Sequence, residues 1–448
     1  MSYLSLSDKD KKEMLAAAGV AKIDDLFCCI PEAVRLRRPL DLPAAQSELE
    51  LVRTIEAIGR KNSAAGHLAF LGGGAYEHFI PTVVDSLSSR GEFVSPYTPY
   101  QPEVSQGTLQ VIFEFQTLIC QLTGLDIANA SLYDGSTGTA EAVLMAQRIT
   151  ARNKVVLSRG IHPQFREVVR TYIKNLGVEA VEVGYGPDGR IDQGALGRLL
   201  DDKTAAVVYQ SPNFFGVIED IQALSGAAHG VKALSVAVVA EAVSLGLLEA
   251  PGKLGADIVT GEGQSFGIPL SFGGPYLGFM ACKKEFLRQM PGRIAGQTVD
   301  KDGRRGFVLT LSTREQHIRR ERATSNICTN QALCALRATI FMETLGKQGL
   351  REMARQNAQK SAYAAGRLGA VPGVKKRFTG PSFNEFVVEL AKPWPAVDAG
   401  LKAKGLIGGY GLEPAYPELK NAALVCVTEM RTKDEIDRLA QALQEVLS

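Results

Sequence analysis

Two stretches of this 448-residue chain pair residues that chemistry uses with turns able to present them. The first, ASLYDGSTGTAEA (Ala130–Ala142), is a small-residue turn entering a helix. Free N–H groups at a helix N-terminus favour an anion, and Ser136, Thr137 and Thr139 add hydroxyl donors, so a phosphate cradle is physically available. A tight strand-to-helix turn capped by Asp134 or Ser136 accounts for the same residues and carries somewhat more weight. The second stretch, GADIVTGEGQSFGIPLSFGGPYLGFM (Gly255–Met280), ends a short strand in a glycine-rich turn, and a further turn, Phe272-Gly273-Gly274-Pro275, precedes the next strand. Ligands of open α/β sheets sit beyond the carboxyl ends of strands, which makes both turns candidate site walls. No base or nucleophile within them is stronger than Glu262, and the nearest lysines, Lys253 and Lys283, lie outside.

The remaining reactive residue types are scattered. His67 and His78 flank Gly72-Gly73-Gly74, His162 opens a predicted helix, His229 ends one where a cation suits the dipole, and His317 sits in an Arg-rich stretch. None has metal-ligand spacing to another His, Cys or carboxylate, so each is expected to be structural. The seven cysteines (Cys28, Cys29, Cys120, Cys282, Cys328, Cys334, Cys426) contain no CxxC pair. That argues against a disulfide framework or zinc site and for a reducing, cytoplasmic setting, with each cysteine expected as a small core residue. GxSxG, Walker and GxGxxG patterns are absent.

The elements that must position these residues follow from periodicity. Residues 1–65 read as largely helical, with Ser7 capping a first helix, Asp10 three residues on, and an amphipathic stretch around Leu49–Arg60. FVSPYTPYQPEVSQG has too many prolines for a helix and reads as an ordered extended loop, followed by a long apolar helix over Thr108–Thr123. Strand-like runs at Val155–Leu157, Glu179–Val183, Ala205–Tyr209, Leu234–Val239, Asp257–Val259 and Leu277–Ala281 alternate with helical stretches, which predicts a mostly parallel sheet covered on both faces. Beyond Thr324 the chain reads as helical to about Leu368. Strands at Phe383–Leu390 and Leu424–Val427 and helices at Ala396–Lys404 and Lys433–Leu447 then suggest a small α+β domain. The expected division is 1–65, 66–325 and 326–448.

Composition excludes several classes. The chain is 45% apolar and 22% charged, an ordinary globular balance. A net charge of +2 gives no electrostatic case for nucleic acid or an anionic membrane. The N-terminal run is charged where a signal peptide needs an apolar core, and no apolar stretch reaches the ~20 residues that span a bilayer.

Three longer segments carry a resemblance. SPYTPYQPEVSQGTLQ (Ser95–Gln110), QSFGIPLSFGGPYLGF (Gln264–Phe279) and TREQHIRRERATSNICTNQAL (Thr313–Leu333) closely resemble the glycine dehydrogenase (decarboxylating) family, the P-protein of the glycine cleavage system, in its split, two-chain form. The resemblance implies an α/β pyridoxal-phosphate (PLP)-dependent transferase type I fold, with a mainly parallel seven-stranded sheet in a large domain plus a small C-terminal α+β domain. It also implies a reaction in which glycine, bound through PLP, loses CO2 and passes its aminomethyl group to the lipoyl arm of the H-protein.

That reaction needs a lysine that holds PLP as an imine. In the catalytic chain of the family the lysine lies in a His-Lys-Thr-Phe run followed by Ile-Pro. Here the matching run is Gly263-Gln264-Ser265-Phe266, then Ile268-Pro269, so Gln264 stands in the lysine's place. The Asp expected to pair with the pyridinium nitrogen is also missing, because the strand at Val236–Val239 runs into Ala240-Glu241-Ala242. The resemblance therefore implies an alpha subunit with no catalytic residue and no covalent cofactor of its own, PLP in a catalytic beta subunit, and an alpha2-beta2 assembly. Type I active sites lie at dimer interfaces, so Tyr97, Thr98, Tyr100, Gln101, Ser105 and Gln106 become candidates for a loop near the pocket or the interface. Two other readings remain open: a self-sufficient PLP enzyme using Lys253 or Lys283, and a binding or regulatory module that keeps the vestigial pocket for a small anion.

Overall fold

The computed structural model describes residues 5–94, 98–327 and 329–448. The chain forms two compact units, Met1–Ala64 and Ala65–Ser448. In the first, the helices Asp8–Ala17 and Glu48–Gly59 each start at a reciprocal capping box, Ser7 with Asp10 and Ser47 with Glu50. The intervening segments are single turns and extended chain rather than further helix. No described residue of this unit is buried.

The second unit is built on a seven-stranded sheet: β1 (Ile127–Ala128), β2 (Lys154–Ser158), β3 (Glu179–Val183), β4 (Thr204–Gln210), β5 (Leu234–Val239), β6 (Ile258–Glu262) and β7 (Gly278–Cys282). Their order is β1-β7-β6-β5-β4-β2-β3. β2 to β6 run parallel, and β7 is antiparallel to both β6 and β1. All seven residues of β4 are buried, as a strand covered on both faces requires.

Side chains alternate between two cores. Val156, Val207, Tyr209, Ala237 and Val259 face one, and Val155, Leu157, Val208, Val236 and Ile258 face the other. Helices α1 (Gln106–Thr123), α4 (Ile221–Gly230) and α5 (Ala332–Gly369) cover the first core through Phe115, Leu224 and Phe341. Helices α2 (Gly135–Thr150) and α3 (Pro163–Ile173) cover the second through Val143, Phe165 and Val169.

Helix α5 is interrupted at Gly346 (φ 61°), and beyond it Ala364 and Leu368 enter a separate C-terminal core with Phe386, Val425 and Leu439. That core lies under a four-stranded antiparallel sheet, ordered Val374–Lys376, Glu385–Leu390, Ala422–Cys426, Tyr410–Gly411. Leu68–Ala69 pairs with Leu406–Ile407 in the same region, so residues close to the start of this unit join the C-terminal layer. A hairpin, Ile294–Val299 with Arg305–Thr310, has no counterpart among the expected strands. Among the described residues no helix is long and apolar enough to cross a membrane.

Phe341 is fully buried against the sheet's core, with its ring 6.4 Å from that of Phe266. Phe341→Ala should therefore lower the unfolding free energy by about 3–5 kcal/mol. A urea melt that moves by less than about 1 kcal/mol would show that α5 does not belong to that core.

Candidate functional site

The carboxyl ends of the parallel strands gather the polar residues that sequence singled out. Glu241 follows β5 and Gln264 follows β6, and both are buried, at 1% and 2% exposure. His162 follows β2, and the helix N-terminus at Gly135 faces Glu262 at the end of β6. Each of these groups is committed to a partner within the chain.

The helix N-terminus is sealed from inside. Glu262 accepts from the backbone N–H of Gly135 at 2.9 Å through one oxygen, and from Leu277 (2.9 Å) and Gln264 (3.1 Å) through the other. Asp134 caps α2 by accepting from Thr137 N at 2.7 Å. The hydroxyls expected to reach an anion turn inward: Ser136 and Thr137 donate to Asp134, and Thr139 donates to the Gly135 carbonyl. The strand-to-helix turn is thus the reading the geometry supports, and the cradle already holds a carboxylate.

The segment from Leu71 to Phe79 occupies the rest of the site. Gln264 Oε1 accepts from Tyr76 N at 2.9 Å, while its Nε2 donates to Tyr76 O (3.1 Å) and Ile268 O (2.7 Å). Glu385 accepts from Gly73 N at 2.7 Å and from the Tyr76 hydroxyl at 2.9 Å. His78 lies between Glu241 (3.1 Å) and Glu429 (2.8 Å), and Asn384 donates to the same oxygen of Glu241. His162 meets the Gly73 carbonyl at 2.8 Å, and Thr428 and Arg431 hold Glu77.

The glycine run makes this passage feasible. A Cβ at Gly72 would lie 2.4 Å from Glu385 Oε1, and one at Gly74 (φ 108°) would lie 2.9 Å from the His162 ring. Sequence marked the run but not its partners, Glu385, Glu429 and Asn384, which show no local signal.

Burial sets the charge states. Glu385 is pushed up to about 8, and Glu262 and Glu219 to about 7. Burial favours the neutral ring of His78, but Glu241 and Glu429 outweigh it and raise the group to about 10. Desolvation pushes His162 down to about 4.

The alternative lysines stand at the wrong end of the sheet. Lys283 follows β7 and ion-pairs with Asp257, which precedes β6, so it lies at the amino ends of the parallel strands. Lys253 lies at that same edge, near Gly124, and pairs with Glu249 at 3.2 Å. His229 also bonds to Asp257 there. Of the described cysteines, Cys282, Cys334 and Cys426 are buried as expected, Cys120 is half-buried, and Cys28 and Cys29 are exposed.

The loop candidates lie apart from these groups. Tyr97 falls outside the described residues. Gln106 is consumed structurally, bonded in both directions to the backbone of Phe307 at 2.8 Å. Thr98 and Ser105 are half-buried and Gln101 is exposed. Tyr100 is exposed, accepts from Arg293 at 3.1 Å, and meets the edge of His317 at 5.9 Å. The first and third motif segments therefore share one face, which also exposes Val104 and Ile318.

Comparison with known proteins agrees with the resemblance. The family model of the glycine cleavage system P-protein matches residues 1–443. The chain is 53% identical to the probable glycine dehydrogenase (decarboxylating) subunit 1 of Brevibacillus brevis, over 99% of this chain and 98% of that protein. It is 52% identical to the probable subunit 1 of Moorella thermoacetica over the whole of both. A crystal structure of glycine decarboxylase (P-protein) of the glycine cleavage system, in inhibitor-bound form, matches at TM-score 0.91 and 44% identity over the whole of both chains. Lactobacillus brevis glutamate decarboxylase, at TM-score 0.71 and 13% identity over 94% of this chain and 97% of that one, shares the fold alone, the PLP-dependent type I fold.

A carboxyl held above its ordinary value stabilises the folded state at low pH and loses that contribution as pH rises through its folded value. Glu385, Glu262 and Glu219 all act in this sense, and the raised His78 adds to it as pH approaches about 10. The melting temperature should therefore fall between about pH 5 and pH 8 through the carboxyls, and more gently on toward about pH 10 through His78. Glu385→Gln keeps an acceptor for Gly73 but cannot ionise, so it should flatten that fall. A melting profile parallel to wild type would contradict the assignment.

Proposed function

The chain belongs to the glycine cleavage system P-protein family, and we propose that it is the subunit that completes the enzyme without holding the cofactor. It is a glycine decarboxylase subunit of the subunit 1 type. In this reading a catalytic beta subunit carries PLP, two alpha-beta pairs assemble in the cytoplasm, and the complex decarboxylates glycine and delivers the aminomethyl group to the lipoyl H-protein.

The observation that carries the reading is the environment of Gln264. PLP supplies imine chemistry through a lysine, and its ring nitrogen and phosphate need an acid and N–H donors. The residues present do not fit it. An amide forms no imine, Glu241 is taken by His78 and Asn384, and the Gly135 N–H is taken by Glu262. The backbone of Tyr76 lies against the Gln264 amide. Tyr97, Thr98, Tyr100, Gln101, Ser105 and Gln106 belong in this reading to the face that meets the beta subunit, with Tyr100 and Gln101 exposed toward it and Gln106 positioning the loop.

The test is restoration of the lysine. In Gln264→Lys the Tyr76 N–H loses its acceptor, because an ammonium only donates. The variant should be less stable by about 1–3 kcal/mol and should still show no aldimine absorbance and no borohydride-trappable PLP. Mixed with the beta subunit, the wild-type chain should restore glycine decarboxylation that it lacks alone. Stoichiometric PLP trapped on the wild-type chain alone would overturn the reading.

A further inference from the structure

Residues 5–64 form a unit with no core. Every described residue there is at least partly exposed, and fifteen large apolar side chains, from Leu6 to Ile58, are counted among the exposed. They follow the period of the element that bears them. In the helix Glu48–Gly59, Leu51, Val52, Ile55 and Ile58 recur at helical spacing, and in the extended stretch after Val34, Leu36, Leu40 and Leu42 recur at intervals of four and two.

The unit's shape is specified locally. Two capping boxes start its helices, and Arg35 with Asp24 and Arg37 with Glu32 tie its turns. Isolated helices of 10 and 12 residues are nonetheless marginal in water without packing. At on the order of 100 Å2 each, the fifteen side chains offer more than the roughly 800 Å2 per partner that a standard interface buries.

Two observations narrow what covers them. Up to Ala64 the unit has ten basic and ten acidic residues, a balance that favours neither nucleic acid nor an anionic lipid surface. The P-protein family model matches from residue 1, and subunit 1 relatives align over 98–100% of their length, so this apolar unit is part of the subunit itself.

We infer that residues 5–64 are a docking arm for the catalytic second subunit of the enzyme, folding its apolar face onto that chain. This rests on the reading that the chain works only with such a subunit.

The experiment uses the full-length chain and the Leu51→Asp/Ile55→Asp variant, each mixed with the catalytic subunit in sedimentation-velocity titrations. Trypsin cleavage near Arg60-Lys61 is followed in parallel. The variant should bind at least a hundredfold more weakly while keeping the melting transition of residues 65–448. The wild-type arm should be cut in the free chain and protected in the complex.

Unchanged affinity, or equal cleavage with and without the partner, overturns the inference. So does an arm already protected in the monomeric chain, which would mean that it packs on its own chain. Self-association that the variant abolishes, with binding to the catalytic subunit intact, would mean that the arm joins copies of this chain. If the wild-type chain fails to bind the catalytic subunit at all, the functional reading itself falls; if it binds and ignores the arm, only this inference does.

Discussion

Gln264 pairs its side-chain amide with the main-chain N–H and C=O of Tyr76, and the arrangement of the sheet's carboxyl edge follows from that pair. Both amide hydrogens are used, one on Tyr76 and one on Ile268. An amide can satisfy a buried backbone donor and acceptor together, and no charged side chain does so without leaving one of them unpaired. With Tyr76 fixed, its hydroxyl reaches Glu385, and His78 falls between Glu241 and Glu429. The amide at the end of β6 is therefore a seat for the chain's own backbone.

In the proposed reading the consequence for function is a division of labour. The fold that positions a cofactor is kept, with its helix N-terminus, its strand order and its polar residues at the carboxyl edge. The polar groups at that edge hold residues 71–79. Buried carboxylates such as Glu262 and Glu385 are costly to ionise, and they persist here because backbone N–H groups and a tyrosine hydroxyl satisfy them. In the proposed reading, what the chain offers the enzyme is surface: an exposed loop face around Tyr100 and an apolar N-terminal unit.

Sequence disclosed the fold well and the site in part. The Val-rich runs Glu179–Val183 and Leu234–Val239 and the helix Lys433–Leu447 read at their observed bounds, because their apolar spacing has one structural solution. The hairpin Ile294–Thr310 was missed, since its strands carry Gly, Gln, Thr and Arg and are partly exposed. Gln264 was legible as a departure from the family's lysine run inside a segment that otherwise resembles it. The packing of residues 73–79 around it was not, because the groups that hold them lie 89 to 354 positions away and each looks ordinary in its own neighbourhood. Only Gly72-Gly73-Gly74 hinted at a close backbone approach.

The central claim is that the cofactor of the assembled enzyme never sits on this chain. Borohydride reduction of the complete holoenzyme, followed by mass spectrometry of the digested subunits, tests it most directly. The account predicts one pyridoxyl group per pair of subunits, on a lysine of the catalytic partner. A pyridoxyl-modified lysine in stoichiometric amount on any peptide of this chain would contradict it.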